Sequence, residues 1–518
     1  MTLDNLFIRA TQAYLSTNDI SDKSADVIAD EALQTIKLFI KQHNEGLDKS
    51  ERFGFPKTLP PEAIKLIICE KHIIKRVHYC TSVVDDNFDL AFYEEKEGIF
   101  NTNPQALRRL IKAYNHSLKQ SEYKTIVEDL KSEVEGVLRD STPYLIAVNN
   151  GIYNRHTKTL EPFSPEHVFL SKIRTEYNPN ATDVNINGWS VKGWFDSLSS
   201  IPEIVKLLWL VILAMLTPHI SWNKAICLYN PTGNNGKGTF LQLCTNLIGS
   251  ENCFTIDFDR NSDFYLQGIE RASAAISDEC SSSIITKSKD FKSLITHDKI
   301  KVNRKGIPMI DARPELSFLF CSNTLLRFSE KTDAIYRRIL YIPFESRFDA
   351  KTENKAIKGD YINRQEVLQY VLKTVLDLPE ISKLPEPEPC KAILYQMKLF
   401  NDSVRAFLEE ILPKTVWQLL PYQFLYDLYR AWFNENLPSG KPVSKQTFGL
   451  QCKQIYHNSN EYEWHETGIP TRNLMDEDEW LIDEFNLTGW MNNGYTGSDR
   501  QKKIDFCRLS SYTGLLKK

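Results

Sequence analysis

The stretch AICLYNPTGNNGKGTFLQLCTNLIG (225–249) restricts the possible folds more than any other part of the chain. AICLY is an apolar run of strand length. FLQLCTNLI places apolar residues at 240, 243, 244, 247 and 248, the spacing of one helix face. Gly249 stands where a helix of that phase should end. A strand that feeds a helix through a glycine-rich loop aims the free amides of the helix's first turn at an anion. The stretch therefore predicts a phosphate-binding loop within an α/β domain. Gly233, Asn234, Asn235, Gly236, Lys237, Gly238 and Thr239 are its candidate nucleotide-binding residues. Two positions depart from the usual pattern. Pro231 stands in place of the first glycine, and Gly238 in place of the hydroxyl residue after the lysine. Thr239 supplies a hydroxyl one position later. The same G-K-G-T ending serves adenylate kinases, so nucleotide binding survives it.

A nucleotide site fits a kinase as well as a hydrolase, and three further segments separate the two. ASAAISDE (272–279) is a small apolar strand ending in two carboxylates. Asp278 is a candidate for holding Mg²⁺, and Glu279 for polarising an attacking water. A small-molecule kinase instead shields its γ-phosphate from water. LSFLFCSN (316–323) is a buried strand ending on Asn323, which suits orienting that water. AIYRRILYIPF (334–344) places Arg337 and Arg338 before another strand, and a paired arginine there fits a bridge plus an arginine finger.

The remaining sequence frames this centre. Residues 1 to about 100 read as mainly helical, with apolar spacing in EALQTIKLFIKQ (31–42). Cys69, His72, His78 and Cys80 are crowded into CEKHIIKRVHYC, too closely for paired zinc ligands, and IKLIICEKHIIKRV reads as a helix or strand. Residues 145–172 suggest a β-hairpin leading into a connector. LLWLVILAML (207–216) is too short to span a bilayer, so it predicts a buried helix and no membrane partner. SKLPEPEPC (382–390) reads as a linker. With 42% hydrophobic and 25% charged residues and a net charge of −4, the chain reads as globular, and any nucleic-acid surface must be a local patch. Ten cysteines without a C-x-x-C pair, and a start (MTLDNLFIRA) lacking a basic head and apolar core, point to a cytoplasmic location.

GNNGKGTF, ISDE, FCSN and AIYRRILYIPFESRF together resemble the superfamily 3 helicases of the phage/plasmid primase–helicase type. These include the replication initiators of staphylococcal pathogenicity islands. NNGIYNRHTKTLEPFSPEHV is similar to the family's collar, and GDYINRQEVLQYVL with FNDSVRAFLEEIL extends the likeness over about residues 100–455. The resemblance implies a multidomain α/β chain with a central AAA+ P-loop ATPase domain, a mainly helical N-terminal region and a C-terminal winged-helix domain. It implies ATP and Mg²⁺ as cofactors, with Thr239 and Asp278 toward the metal, and a hexameric homo-oligomer in which one of the two arginines acts in trans. It also implies translocation on single-stranded DNA, typically 3′ to 5′. The expected boundaries are 1–100 for the helical region, 101–200 for the collar, 201–385 for the ATPase and 395–518 for the winged helix.

DNA contacts are expected in TKSKDFKSLITHDKIKVNRKGIP (286–308). Seven Lys/Arg against two Asp lie between Lys287 and Lys305. KIKV, NRKG and IPMI read as strand, turn and strand, with Arg304 and Lys305 at the tip and Lys301, Lys299 and His297 behind. In the family this hairpin grips the phosphate backbone in the ring channel. Lys445, Gln446, Thr447 and Lys453 on a second C-terminal helix, with RQKK (500–503), are candidates for origin double-stranded DNA, while the six acids in MDEDEWLIDE (475–484), which would repel phosphate, fit a plain interaction module equally well. The alternatives are an origin-binding initiator that uses ATP as a clamp, a helicase with residual primase activity, and a nucleotide kinase. VVDDNFDL (83–90) has acids but no supporting primase pattern, and a kinase leaves ISDE and the basic hairpin unexplained.

Overall fold

Apolar residues at helical spacing build α1 (Leu3–Thr17), α2 (Ala25–Asn44) and α3 (Pro61–Lys71). Leu6, Ala10, Ile28, Ile36, Ile40, Ile64 and Ile67 pack together between them. The computed structural model describes all residues except 1, 84–86, 257–261, 280–283, 307, 350–351, 437–440, 493, 500–501 and 503–508. Part of VVDDNFDL and most of RQKK therefore lie outside the described residues. The chain divides into two units, Met1–Lys391 and Ala392–Lys518.

The helical reading of the first hundred residues needs correction. After α3 come β1 (Ile74–His78), β2 (Phe88–Glu94) and β3 (Ile99–Asn101), then α4 (Pro104–Lys112), α5 (Gln120–Glu133) and β4 (Gly136–Leu138). The sheet order is β3-β2-β1-β4, with β1 and β4 parallel. The ambiguous stretch IKLIICEKHIIKRV is both things in turn: the His72 amide closes α3 on the Ile68 carbonyl, and the chain then extends into β1. The partners of β1 lie up to sixty residues downstream, beyond the reach of local periodicity. This split also separates the four would-be zinc ligands. Cys69 is exposed on α3, His72 lies 3.0 Å from the Tyr114 hydroxyl, and Cys80 Sγ meets the Asp311 carbonyl at 3.2 Å. Among the described residues, no three His, Cys, Asp or Glu side chains are grouped to hold a metal.

The predicted hairpin appears as β5 (Leu145–Val148) and β6 (Gly151–Asn154), extended by β7 (Thr159–Glu161). Then α6 (Val191–Leu198) leads to α7 (Pro202–Leu216), whose apolar run is buried except at Trp209 and Leu210, which are half-buried. Among the described residues, no helix is long and apolar enough to cross a membrane.

Five short apolar runs form the central sheet: β8 (Ala225–Tyr229), β9 (Cys253–Phe254), β10 (Ala274–Ser277), β14 (Ser317–Ser322) and β16 (Ile339–Pro343). Its order is β16-β8-β14-β10-β9, parallel throughout. Uninterrupted apolar strands are what a parallel sheet covered by helices requires. The main core joins it to α7, α8 (Lys237–Ile248) and α12 (Gln365–Leu376). The short pair β11 (Ile284–Ile285) and β15 (Arg327–Phe328), helices α9 (Ser288–Ile295), α10 (Asp333–Tyr336) and α11 (Lys355–Gly359), and the hairpin β12 (Ile300–Val302)–β13 (Ile310–Ala312) decorate this sheet. The Pro-rich stretch is only partly a linker, since Leu384 and Cys390 are buried in the main core. The unit boundary falls just after it, within α13 (Glu388–Asn401).

The second unit runs α14 (Ser403–Ile411), β17 (Leu419–Pro421), α15 (Tyr422–Asn436), α16 (Lys445–Tyr456), β18 (Tyr462–Pro470) and β19 (Ser511–Lys517). Its antiparallel sheet has the order β17-β19-β18, and Phe407, Phe424, Tyr429 and Phe448 fill its core. Glu479 is not one of the surface acids that its sequence context suggests. It is fully buried, and its carboxylate accepts from the Val416 and Trp417 amides at 2.7 and 3.0 Å.

His297 is likewise internal, which removes it from the expected DNA contacts. It is 4% exposed, with Nε2 3.3 Å from the Leu316 carbonyl. Burial lowers its pKa to about 4, with repulsion from Arg139, Arg313 and His219 adding to the effect. A histidine held neutral in the fold contributes stability that is lost as pH falls from its unfolded value of about 6.5 toward 4, because only the unfolded chain takes the proton. His297→Phe should therefore reduce the loss of unfolding free energy between pH 7 and pH 5 by about 2 kcal/mol, measured by urea titration at both pH values.

Candidate nucleotide site and basic hairpin

The loop after β8 is shaped by Asn230. Its side-chain oxygen accepts from the Thr232 amide at 2.7 Å and from the Thr232 hydroxyl at 2.8 Å, a turn that Asn favours. Pro231 occupies the second position of that turn, where proline's fixed φ is suited. This accounts for the missing first glycine. The Asn235 side chain donates to the Thr232 carbonyl at 2.7 Å. Asn234 and Gly236 adopt left-handed φ values of 54° and 87°. At Gly236 a Cβ would also stand 2.6 Å from Leu198 Cδ2, so both backbone and space demand glycine. From the other side, the Phe344 amide bonds the Tyr229 carbonyl at 3.0 Å and the Phe348 amide bonds the Asn234 carbonyl at 2.8 Å.

Because β8, β10 and β14 run parallel, their C-terminal ends deliver the candidate residues to one place. Lys237 is 6% exposed, and its ammonium donates to Asn323 Oδ1 at 2.9 Å and to the Asn230 carbonyl at 3.3 Å. Burial holds its pKa below the ordinary lysine value. Asp278 and Glu279 are exposed at the end of β10. All four residues border one cleft of about 1020 Å³, together with Gly233, Asn234, Asn235, Gly236, Gly238 and Thr239. That volume accommodates a nucleoside triphosphate. Trp189, Phe348, Asn354 and Lys358 also border it. They were not foreseen, because they reach the cleft from segments remote in sequence and lie in no phosphate-loop pattern.

The donors fit a hard cation. Asp278 Oδ1 stands 3.2 Å from where a Cβ at position 238 would be, against the first turn of α8. Mg²⁺ is usually held by one or two carboxylates plus substrate phosphates, so a single strand-end acid beside the loop suffices. Thr239, half-buried in the same turn, carries the nearest loop hydroxyl.

Arg337 and Arg338 sit at the opposite end of the sheet. The Arg338 carbonyl accepts from the Ala225 amide at the start of β8, a strand's length from the loop. Arg337 is exposed, whereas Arg338 is half-buried and donates to the Ala334 carbonyl at 2.5 Å. Arg338 is thus folded back onto the helix that precedes it, while Arg337 points outward.

The basic segment forms the expected hairpin, but most of its charge is compensated. Lys292 pairs with Glu330 at 2.7 Å, and Lys299 and Lys301 flank Asp311 at 2.9 and 3.3 Å. Arg304 does not project from the tip. It is 8% exposed and pairs with Asp89 of β2 at 3.3 Å, and Asp89 also accepts from Tyr79 at 2.7 Å and Arg271 at 3.1 Å. The partner acid lies more than two hundred residues upstream, beyond anything local sequence shows. Lys305 remains exposed at the tip.

These features define a P-loop nucleotide-binding α/β unit joined to a second, helix-rich unit. Comparison with known families agrees with that division. A model described as D5 N terminal like matches residues 59–197, one described as Poxvirus D5 protein-like matches 400–486, and a family of unknown function, DUF5906, matches 228–338. The two D5-type matches flank the nucleotide site and support the primase–helicase resemblance at family level. No curated protein matches the chain. Among solved structures, the A form apo structure of the NrS-1 C terminal region is similar, at 13% identity and a TM-score of 0.43, covering 82% of this chain and 89% of that one. An apo structure of NrS-1 C terminal region (305-718) is also 13% identical, with a TM-score of 0.44 and coverage of 79% and 96%.

Two substitutions probe the cleft. Lys237→Ala should abolish ATP hydrolysis and weaken ATP binding at least about tenfold, since a charge-assisted contact is lost. Glu279→Gln should retain binding and lower turnover by two orders of magnitude or so. Paired nucleotide-binding and phosphate-release measurements distinguish the two effects.

Proposed function

We propose that this chain is an ATP-dependent DNA helicase and replication initiator of a mobile element or phage, built on a superfamily 3 AAA+ domain. It works as a hexameric ring that translocates on single-stranded DNA, 3′ to 5′, in the cytoplasm. The observation that carries the reading is the convergence of Lys237, Asp278, Glu279 and Asn323 on one cleft, while two arginines stand at the far end of the same sheet.

Each residue has a role in this reading. Lys237 exchanges its amide and carbonyl partners for the β/γ-phosphates. Asp278 and the Thr239 hydroxyl lie on the side where Mg²⁺ would be held, and the ion when bound would neutralise charge on the phosphates. Glu279 accepts the proton of the attacking water, which the Asn323 amide orients. In this reading an arginine completes the site from a neighbouring subunit, since among the described residues none of the cleft's bordering side chains is an arginine. The exposure of Arg337 supports it as that finger, with Arg338 as its positioning neighbour.

Lys305 with Lys301 and Lys299 is the proposed backbone-tracking element. Exposed ion pairs such as those with Asp311 are weak and exchange readily for phosphate. In the second unit, the order helix–strand–helix–helix–strand–strand supports a winged helix. On α16, Gln446 and Thr447 are exposed, Lys445 lies 4.9 Å over the Tyr422 ring, and Lys453 pairs with Glu466 at 2.5 Å. This helix is the proposed reader of origin double-stranded DNA. The finer division at about residues 100, 200 and 385–395 belongs to the same proposal.

The internal pairing of the basic segment favours one second reading, an initiator that binds ATP as a clamp. A motor should hydrolyse ATP at least several-fold faster with single-stranded DNA, and a clamp should not respond. Lys301→Ala with Lys305→Ala should lower unwinding and flatten the salt dependence of single-strand binding, with basal hydrolysis retained. Mixing Lys237→Ala subunits with Arg337→Ala subunits should recover part of the activity that each lacks alone. Trans-acting arginines contribute on the order of 10³–10⁵ in rate, so the recovery is easily measured. A monomer hydrolysing ATP at full rate with both arginines replaced would exclude the ring.

A further inference from the structure

Gly238 stands where phosphate loops usually carry the hydroxyl residue that follows the lysine. The three nearest heavy atoms to a Cβ at this position would be Asp278 Oδ1 at 3.2 Å, the ammonium nitrogen of Lys358 at 3.6 Å and Asp278 Cγ at 3.9 Å. Position 238 is thus bordered by an acid from β10 and a cation from α11. The Asp278 oxygen and the Lys358 nitrogen are both within 4 Å of one point, yet they form no ion pair among the described residues. Lys358 is exposed and borders the cleft. Asn354, at the start of its helix, caps α11 by accepting from the Ala356 amide at 3.1 Å. The Lys358 carbonyl accepts from Asn363 at 3.2 Å, and Asn363 in turn accepts from Asn246 of α8 at 2.7 Å. The lysine backbone is therefore tied to the phosphate-loop helix itself.

We propose that Lys358 is a second phosphate-binding cation, supplied in cis, that contacts the β/γ-phosphates of the bound nucleoside triphosphate on the face opposite Lys237. This deepens the nucleotide reading of the cleft and rests on it. Glycine at 238 is part of the device. A larger side chain would stand between the ammonium and the phosphates and would crowd Asp278. The flexible stem of lysine lets the charge follow the phosphate, and an exposed ammonium facing an acidic strand end has an electrostatic reason to stay near the cleft mouth.

The test uses the full chain and titrates ATP with and without Mg²⁺ against wild type, Lys358→Met, Lys358→Arg and Lys237→Ala. Lys358→Met should weaken ATP binding about tenfold or more, in line with the loss of one charge-assisted hydrogen bond. Its melting temperature should be unchanged, because the side chain is exposed. Lys358→Arg should restore affinity to within about threefold, since the charge is retained. The loss should persist in EDTA, as a direct phosphate contact requires. If Lys358→Met binds ATP like wild type while Lys237→Ala does not, Lys358 is a solvated surface charge and the inference fails alone. A loss confined to Mg²⁺-containing samples also overturns a direct contact. Wild type that fails to bind ATP would overturn the nucleotide reading and this inference with it.

Discussion

Everything at the nucleotide cleft depends on the pairing of β8 between β14 and β16. Parallel pairing puts the C-terminal ends of β8 and β14 side by side, so the loop lysine and Asn323 emerge within hydrogen-bond distance although 86 residues separate them. β10 pairs on the far side of β14 and delivers Asp278 to the first turn of α8. The same pairing fixes the start of β16 against the start of β8 and so removes the two arginines from their own subunit's cleft. Strand order thus places the loop, the acidic strand end and Asn323 at one end of the sheet and the arginine pair at the other.

The phosphate loop is held as much from outside as by its own glycines. Phe344 and Phe348, just after β16, bond its backbone at both ends. Leu198 from α6 fills the space that only a glycine at 236 leaves open. The lysine is buried yet has two oxygen partners, so its charge is kept out of water without being left unpaired. An arriving triphosphate offers it stronger acceptors than a carboxamide and a peptide carbonyl.

Charge compensation changes the meaning of the basic segment. A local excess of cations in the sequence becomes, in the fold, a set of ion pairs with Glu330, Asp311 and Asp89. The Arg304–Asp89 pair also ties the hairpin to the N-terminal sheet, and the Asp311 amide bonds the Asn87 side chain at 2.8 Å in the same region. The hairpin is therefore anchored to that sheet by an ion pair and a hydrogen bond from a backbone amide.

The sequence by itself determined the strand–loop–helix unit, the acidic strand end, the strand ending on Asn323, the arginine pair before β16, and the buried character of α7. Each depends on periodicity or on residue chemistry within some ten positions, and local order is what a chain records most directly. Tertiary structure alone decided the β1–β4 sheet, the burial of His297, Arg304 and Glu479, and the arrival of Lys358 beside Gly238. A histidine, an arginine and a glutamate read as solvated charges until their partners are known, and those partners come from the Leu316 carbonyl, Asp89 and the Val416–Trp417 amides. Long-range pairing sets burial, and burial sets whether an ionisable side chain is a surface charge or a structural bond.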